Sequence, residues 1–257
     1  MNSNHPNHHL ETLEHFTNRI RYQYEPLNGL TVPASQIEKV NQDGSLAPYL
    51  GDTVIFELGD NTRSTIGQMQ EALYARCGSL LGERLPVESF HITLHDLLSA
   101  PMERQDEILA GLDDRCASVN DLIAGFAEKY PDPIRVRPTR LFCMVGKSVV
   151  LGFEPADEDA CNALMDMFSQ LQKIVCLDYP FYTPHVTLAY FKPRLDEYGN
   201  PIPCDGHSVY CLSQAMQEIS AQFPLDIVPL KIEDLHYCCF RDMSRYISKD
   251  EFDAVKK

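Results

Sequence analysis

Apolar residues recur at helical spacing from Leu10 to Tyr24 (Leu10, Leu13, Phe16, Ile20) and again from Ser64 to Leu81, where Ile66, Met69, Leu73, Cys77 and Leu80 fall three and four apart. Each pattern predicts an amphipathic helix. Between them, residues 25–51 hold Pro26, Gly29, Pro33, Gly44, Pro48 and Gly51, which is loop chemistry. The β-branched and aromatic run Thr53–Leu58, closed by Gly59-Asp60, predicts a short strand, and Val87–Leu94 a second. A long helical stretch follows from Met102 to Lys129, expected to break near Ser118 and to end at Pro131.

The second half repeats this outline. Ile134–Val145 and Ser148–Glu154 predict a hairpin around Gly146-Lys147, and Asp157–Val175 a helix opening on acidic residues, as its dipole favours. Thr183–Phe191 predicts a strand, 193–206 a loop, Ser208–Gln222 a helix and Leu230–Phe240 a final strand or strand pair. Strands beginning at 53 and 149 lie 96 residues apart, and His91 and His185 lie 94 apart. The near-equal offsets point to a duplicated strand–helix–strand unit.

Both units carry one tetrapeptide pattern, His91-Ile92-Thr93-Leu94 and His185-Val186-Thr187-Leu188. Two such matches at corresponding places would arise by accident in roughly one chain in a thousand. Side chains alternate along a strand, so His91 and Thr93 share a face about 6.6 Å apart, as do His185 and Thr187. Strict alternation places His95 on the His91 face and Tyr190 on the opposite, core face. Two imidazoles flanking one phosphorus serve as general base and general acid near neutral pH, and two threonine hydroxyls bind its non-bridging oxygens. No metal is required. Such a device suits a phosphodiester whose nucleophile or leaving group is a ribose 2′ or 3′ hydroxyl.

Composition sets bounds on that chemistry. The 257 residues are 44% hydrophobic and 23% charged, as in ordinary globular chains, and no apolar run is long enough to span a membrane. The polar, His/Asn-rich stretch 1–9 is expected to fray rather than to bind metal. With no signal-type apolar stretch near Met1, the expected location is cytoplasmic. A net charge of −15 argues against long nucleic acid, whose binding rests on counterion release to a basic surface, and leaves room for a nucleotide or a short RNA end. Neither a membrane nor a second copy is expected as a partner. Nine cysteines without a C-x-x-C pair read as reduced thiols, mostly buried, with Cys238 and Cys239 as core or edge residues.

The two motifs, with Arg140-Leu141-Phe142 and Ser148 to Glu154 between them, resemble the 2H phosphoesterase superfamily of RNA ligase-like and cyclic phosphodiesterase-like proteins. The likeness covers roughly residues 50–100 and 134–250. Pro184 matches that family's habit of a proline before the motif, whereas Phe90 departs from it. The resemblance implies an α+β fold of two pseudo-symmetric lobes, each an antiparallel sheet with outer helices, around a central cleft. Residues 1–50 then form an N-terminal extension of helix and loop, and 51–250 the bilobal domain, with lobes at about 51–133 and 134–250. The expected activity is metal-independent hydrolysis of a 2′,3′-cyclic phosphate or related diester, with His91 and His185 catalytic, Thr93 and Thr187 on the phosphate, and no cofactor. A 2′–5′ RNA ligase and a non-catalytic nucleotide or phosphate sensor are the alternatives. Tyr182, Arg241 and Tyr246 are candidates to line the substrate site. Arg245 is weighed with them against a solvent-facing edge. A metal set of His91, His95 and Asp96 with His185 or His236 is the weaker rival, and His207 and His236 read as solvated or core histidines.

Overall fold

The computed structural model describes residues 11–22, 26–178 and 181–254. The stretch 1–9, expected to fray, lies outside the described residues, as do both ends of the helix expected over Leu10–Tyr24. Among the described residues the chain runs α1 (Leu13–Tyr22), β1 (Tyr49–Glu57), α2 (Asp60–Cys77), β2 (His91–Pro101), α3 (Gln105–Leu109), α4 (Leu112–Lys129), β3 (Ile134–Met144), β4 (Ser148–Pro155), α5 (Glu158–Leu171), β5 (His185–Tyr190), α6 (Gly206–Gln222), β6 (Val228–Leu230), β7 (Leu235–Phe240), β8 (Tyr246–Ile247) and α7 (Lys249–Ala254). None of these helices is long and apolar enough to cross a membrane.

The strands form two four-stranded sheets, ordered β2-β1-β7-β8 and β5-β4-β3-β6, with every pairing antiparallel. This is the expected α+β fold of two lobes. Each lobe holds a strand–helix–strand unit, β1-α2-β2 or β4-α5-β5, whose motif strand lies at one end of its sheet. The helices cross over: α2 touches β5 and α5 touches β2. One continuous apolar core, including Phe56, Ile92, Leu94, Phe153, Val186 and Leu188, runs through both lobes.

The sheets do not divide the chain at residue 134. The stretch expected as one terminal strand or strand pair splits, with β6 pairing to β3 and β7 to β1. Residues 235–247, which sequence order groups with the second lobe, therefore complete the first. The third strand of each sheet is contributed differently, by β3 just ahead of β4 and by β7 from 178 residues beyond β1.

The long helical stretch breaks at Ala110-Gly111, where Gly111 has φ +72°, and not at Ser118. Glycine takes this left-handed conformation without steric cost. Ser118 lies inside α4, next to the fully buried Val119. Arg115 of α4 reaches the buried Asp52 of β1 with Nε at 2.7 Å, and Asp52 also accepts from the Tyr237 hydroxyl (2.8 Å) and the Leu98 amide (3.1 Å). One carboxylate thus joins α4, β1, β2 and β7. All nine cysteines are free, four of them buried, Cys238 and Cys239 included.

Candidate active site

Each motif strand carries a bulge at the leucine of its tetrapeptide. In β2, Thr93 faces Ile55 and His95 faces Val54, which leaves Leu94 as an extra residue. In β5, Thr187 faces Val150 and Ala189 faces Val149, which leaves Leu188 extra. A bulge adds one residue to one strand and reverses the phase of alternation beyond it. Burial follows: His91 and Thr93 are half-buried, Leu94 and His95 are both buried, and Asp96 is exposed. His185 and Thr187 are half-buried, Leu188 and Ala189 buried, and Tyr190 half-buried.

Two expectations are corrected here. His95 does not share the His91 face but turns into the core, 1% exposed, with its ring 5.1 Å from that of Phe168. The metal set built on His91, His95 and Asp96 loses its shared face. Tyr190 leaves the core face and joins His185 and Thr187. Asp96 takes the place on the site face that alternation gave to His95.

The two histidines are held alike. His91 Nδ1 lies 2.7 Å from the Ser89 carbonyl oxygen, and His185 Nδ1 lies 2.8 Å from that of Thr183. A carbonyl can only accept, so Nδ1 carries hydrogen in both rings and Nε2 is left as the nitrogen able to exchange a proton. His91 Nε2 lies 3.2 Å from Thr93 Oγ1. The Tyr246 ring meets His91 edge-on, with centroids 4.1 Å apart.

Burial holds His91 down to about 4 and depresses His185 as well. The carbonyl contacts and Asp96 act in the opposite direction on both. His185 lowers His91, so the two rings lie within electrostatic reach of each other. Lys39 adds to the depression of His185. Its ammonium stands over the Tyr49 ring (4.9 Å) and the Tyr190 ring (5.8 Å).

Each lobe braces the other's motif. Gln70 of α2 donates to the carbonyl of the bulged Leu188 (2.9 Å), and the Tyr182 hydroxyl donates to the carbonyl of Thr93 (3.2 Å). From α1, Arg19 donates to Thr183 Oγ1 (2.9 Å) and the Tyr182 carbonyl (2.7 Å), held by a two-point contact to the buried Glu11. The N-terminal extension therefore fixes the residue whose carbonyl orients His185.

Among the substrate-lining candidates, Tyr246 lies against His91. Tyr182 is 6% exposed and stacks on Phe168 (5.2 Å), a packing position between the lobes. Arg241 lies over the Phe252 ring (4.3 Å) and donates to the Phe252 carbonyl, which commits it to α7. Arg245 is exposed and pairs with Glu251. His207 and His236 are exposed. Among the described residues no three His, Cys, Asp or Glu side chains gather as metal ligands. Nothing in the sequence singles out Lys39, and strict alternation turns Asp96 and Tyr190 away from the site face. The sequence's one trace of the bulge is that apolar positions in β2 move from Ile92 and Leu94 to Leu97, off strict alternation.

No protein-family model matches the chain, and no curated protein is similar to it in sequence. Among solved structures, it is similar to a conserved protein of unknown function from Agrobacterium tumefaciens. The two are 20% identical, with 84% of this chain and 91% of that chain covered and a TM-score of 0.55, so they share a fold. It also matches Escherichia coli LigT at 13% identity over 78% of this chain and 95% of that one, with a TM-score of 0.39.

Proposed function

We propose that this protein hydrolyses a phosphodiester, of the class of 2′,3′-cyclic phosphates on a nucleotide or short RNA end, with His91 and His185 as its acid–base pair. One Nε2 removes a proton from water as the water oxygen bonds to phosphorus. The bond from phosphorus to a ribose oxygen breaks in line, and the other Nε2–H protonates that oxygen. The products are a phosphomonoester and a free ribose hydroxyl, and the pair returns with its protons exchanged. Thr93 and Thr187 donate to the non-bridging oxygens, whose charge grows in the transition state.

The observation that carries this reading is the matched anchoring of two imidazoles. Both rise from bulged strands of facing lobes, both give Nδ1–H to the carbonyl two residues earlier, and both keep a threonine beside them. Packing alone gives no reason for that repetition. The test is turnover of 2′,3′-cyclic AMP and of 2′–5′-linked dinucleotides by the purified chain. Phosphomonoester product is expected, and its formation is expected to persist in EDTA. Binding without turnover would overturn hydrolysis in favour of a phosphate sensor. Loss in EDTA restored by zinc or manganese would overturn the metal-independent step.

A further inference from the structure

Lys39 belongs to neither lobe. It comes from the segment ahead of β1, a 3-10 turn over Ala34–Glu38, and is half-buried against the site. That turn is anchored on the second lobe: the Gln36 side-chain amide donates to the carbonyls of Lys147 (3.0 Å) and Phe191 (3.2 Å). Val40, next in the chain, is fully buried and pairs with Leu46. The backbone on both sides of Lys39 is therefore fixed, and its side chain is delivered to one place.

There, among the described residues, no carboxylate oxygen lies within 4.0 Å of the ammonium. Its neighbours are the faces of Tyr49 and Tyr190, which attract a cation but do not neutralise it. The charged groups that face it are Asp96 and Glu38, which favour its charged form, and Lys147, which opposes it. Burial opposes that charge as well. Holding an ammonium away from water without an ion pair is costly unless an anion arrives to meet it. Tyr190 stands on the same face of β5 as His185 and Thr187, so the cation lies beside the reacting centre.

We propose that Lys39 binds a phosphate group of the substrate, so that the N-terminal extension completes the active site. This rests on the phosphodiesterase reading above. Two phosphates satisfy the same chemistry: the reacting one, or a second, such as a 5′-phosphate, on the same nucleotide. Lys39 acts here as a compact point charge on a flexible stem, which suits a phosphate of either kind.

The experiment measures binding of adenosine 2′-phosphate and adenosine 2′,5′-bisphosphate by calorimetry to the full chain and to K39M and K39R. The wild type is expected to bind both nucleotides. K39M is expected to lose about 10-fold to 100-fold in affinity, as removal of one charge-assisted contact does, and K39R to recover part of it. Loss on both ligands assigns Lys39 to the reacting phosphate, and loss on the bisphosphate alone assigns it to the 5′-phosphate. Unchanged affinity of K39M for both would overturn the proposal, as would a wild type that binds neither at millimolar concentration. Equal loss in K39M and K39R with a shared fall in Tm would also overturn it, in favour of packing against the tyrosines. Turnover of 2′,3′-cyclic AMP by the wild type is read separately, so failure of hydrolysis and failure of Lys39 to bind phosphate remain distinct results.

Discussion

An imidazole tied at Nδ1 to a backbone carbonyl has one nitrogen left for chemistry, and both site histidines are tied in this way. In the proposed mechanism, acid and base act as one unit. His91→Ala and His185→Ala are each expected to lower kcat by about 10²-fold to 10⁴-fold. The double variant should fall little further, because either loss alone disables the pair. Steady-state rates on 2′,3′-cyclic AMP check this, with circular dichroism as the control for folding. The pH profile follows from the depressed imidazoles. Unperturbed imidazoles would put both limbs at about pH 6.5, but burial holds His91 at about 4 and lowers His185 too. One ring must be protonated and the other neutral, so kcat/KM should peak below pH 6.5 and fall as pH rises through the higher of the two values. Asp96 favours protonation of both rings, so Asp96→Asn should move that falling limb to lower pH. An unmoved limb would remove Asp96 from the site's electrostatics. The sign for stability also follows. The unfolded chain takes up protons from about pH 6.5 downward while the folded histidines resist, so stability should fall as pH drops from about 6.5 towards 4.

The strand–helix–strand units, the hairpin and the His/Thr pairs are legible at the level of elements because local pattern decides them. Two short apolar–polar alternations separated by a helical period specify β1-α2-β2 and β4-α5-β5 directly. The bulges are not legible in the same way, since alternation counts residues and a bulge adds one, marked in β2 only by the step of apolar positions from Leu94 to Leu97. Strict alternation misplaces His95 and Tyr190 for that single reason, and turns Asp96 away from the site. Lys39 lies 52 residues before His91 in a Pro/Gly-rich segment, so nothing local connects it to the motif. Arg19 is likewise remote, and it gives the role of α1 a direct test. Arg19→Met removes the donors to Thr183 and Tyr182 and leaves the buried Glu11 with His15 (2.8 Å) in place of its two-point arginine contact. It should cost about 10-fold or more in kcat through misplacement of His185, with a smaller change in KM and a shifted pH limb. A fall in Tm with an unchanged profile would make α1 a brace alone.

Across the whole molecule, the lobes are bound by one core and by a few polar ties. Within the first lobe, the Asp52 carboxylate joins β1 to α4, β2 and β7. Removing one member of a buried ion pair typically costs about 3–5 kcal/mol, because the other is left charged and unpaired. Asp52→Ala should therefore lower stability by that order in chemical denaturation. Combined replacement of Asp52, Arg115 and Tyr237 by apolar residues should recover much of the loss. If the single variant unfolds like the wild type, the pair contributes nothing to holding α4 on the sheet.

The split of the terminal strands has a consequence for how the molecule is made. All four strands of the second lobe lie within residues 134–230 and can pair as soon as that stretch leaves the ribosome. The first lobe, although its motif is synthesised earlier, remains a two-stranded ribbon with one flank of β1 bare until Leu235–Phe240 arrives. Such a ribbon is marginal by itself, and its bare flank is a template for wrong pairing. The strand order thus predicts that the later half of the chain completes its sheet first. A chain ending before Leu235 would hold every strand of the second sheet and leave one flank of β1 unpaired, open to association with other chains.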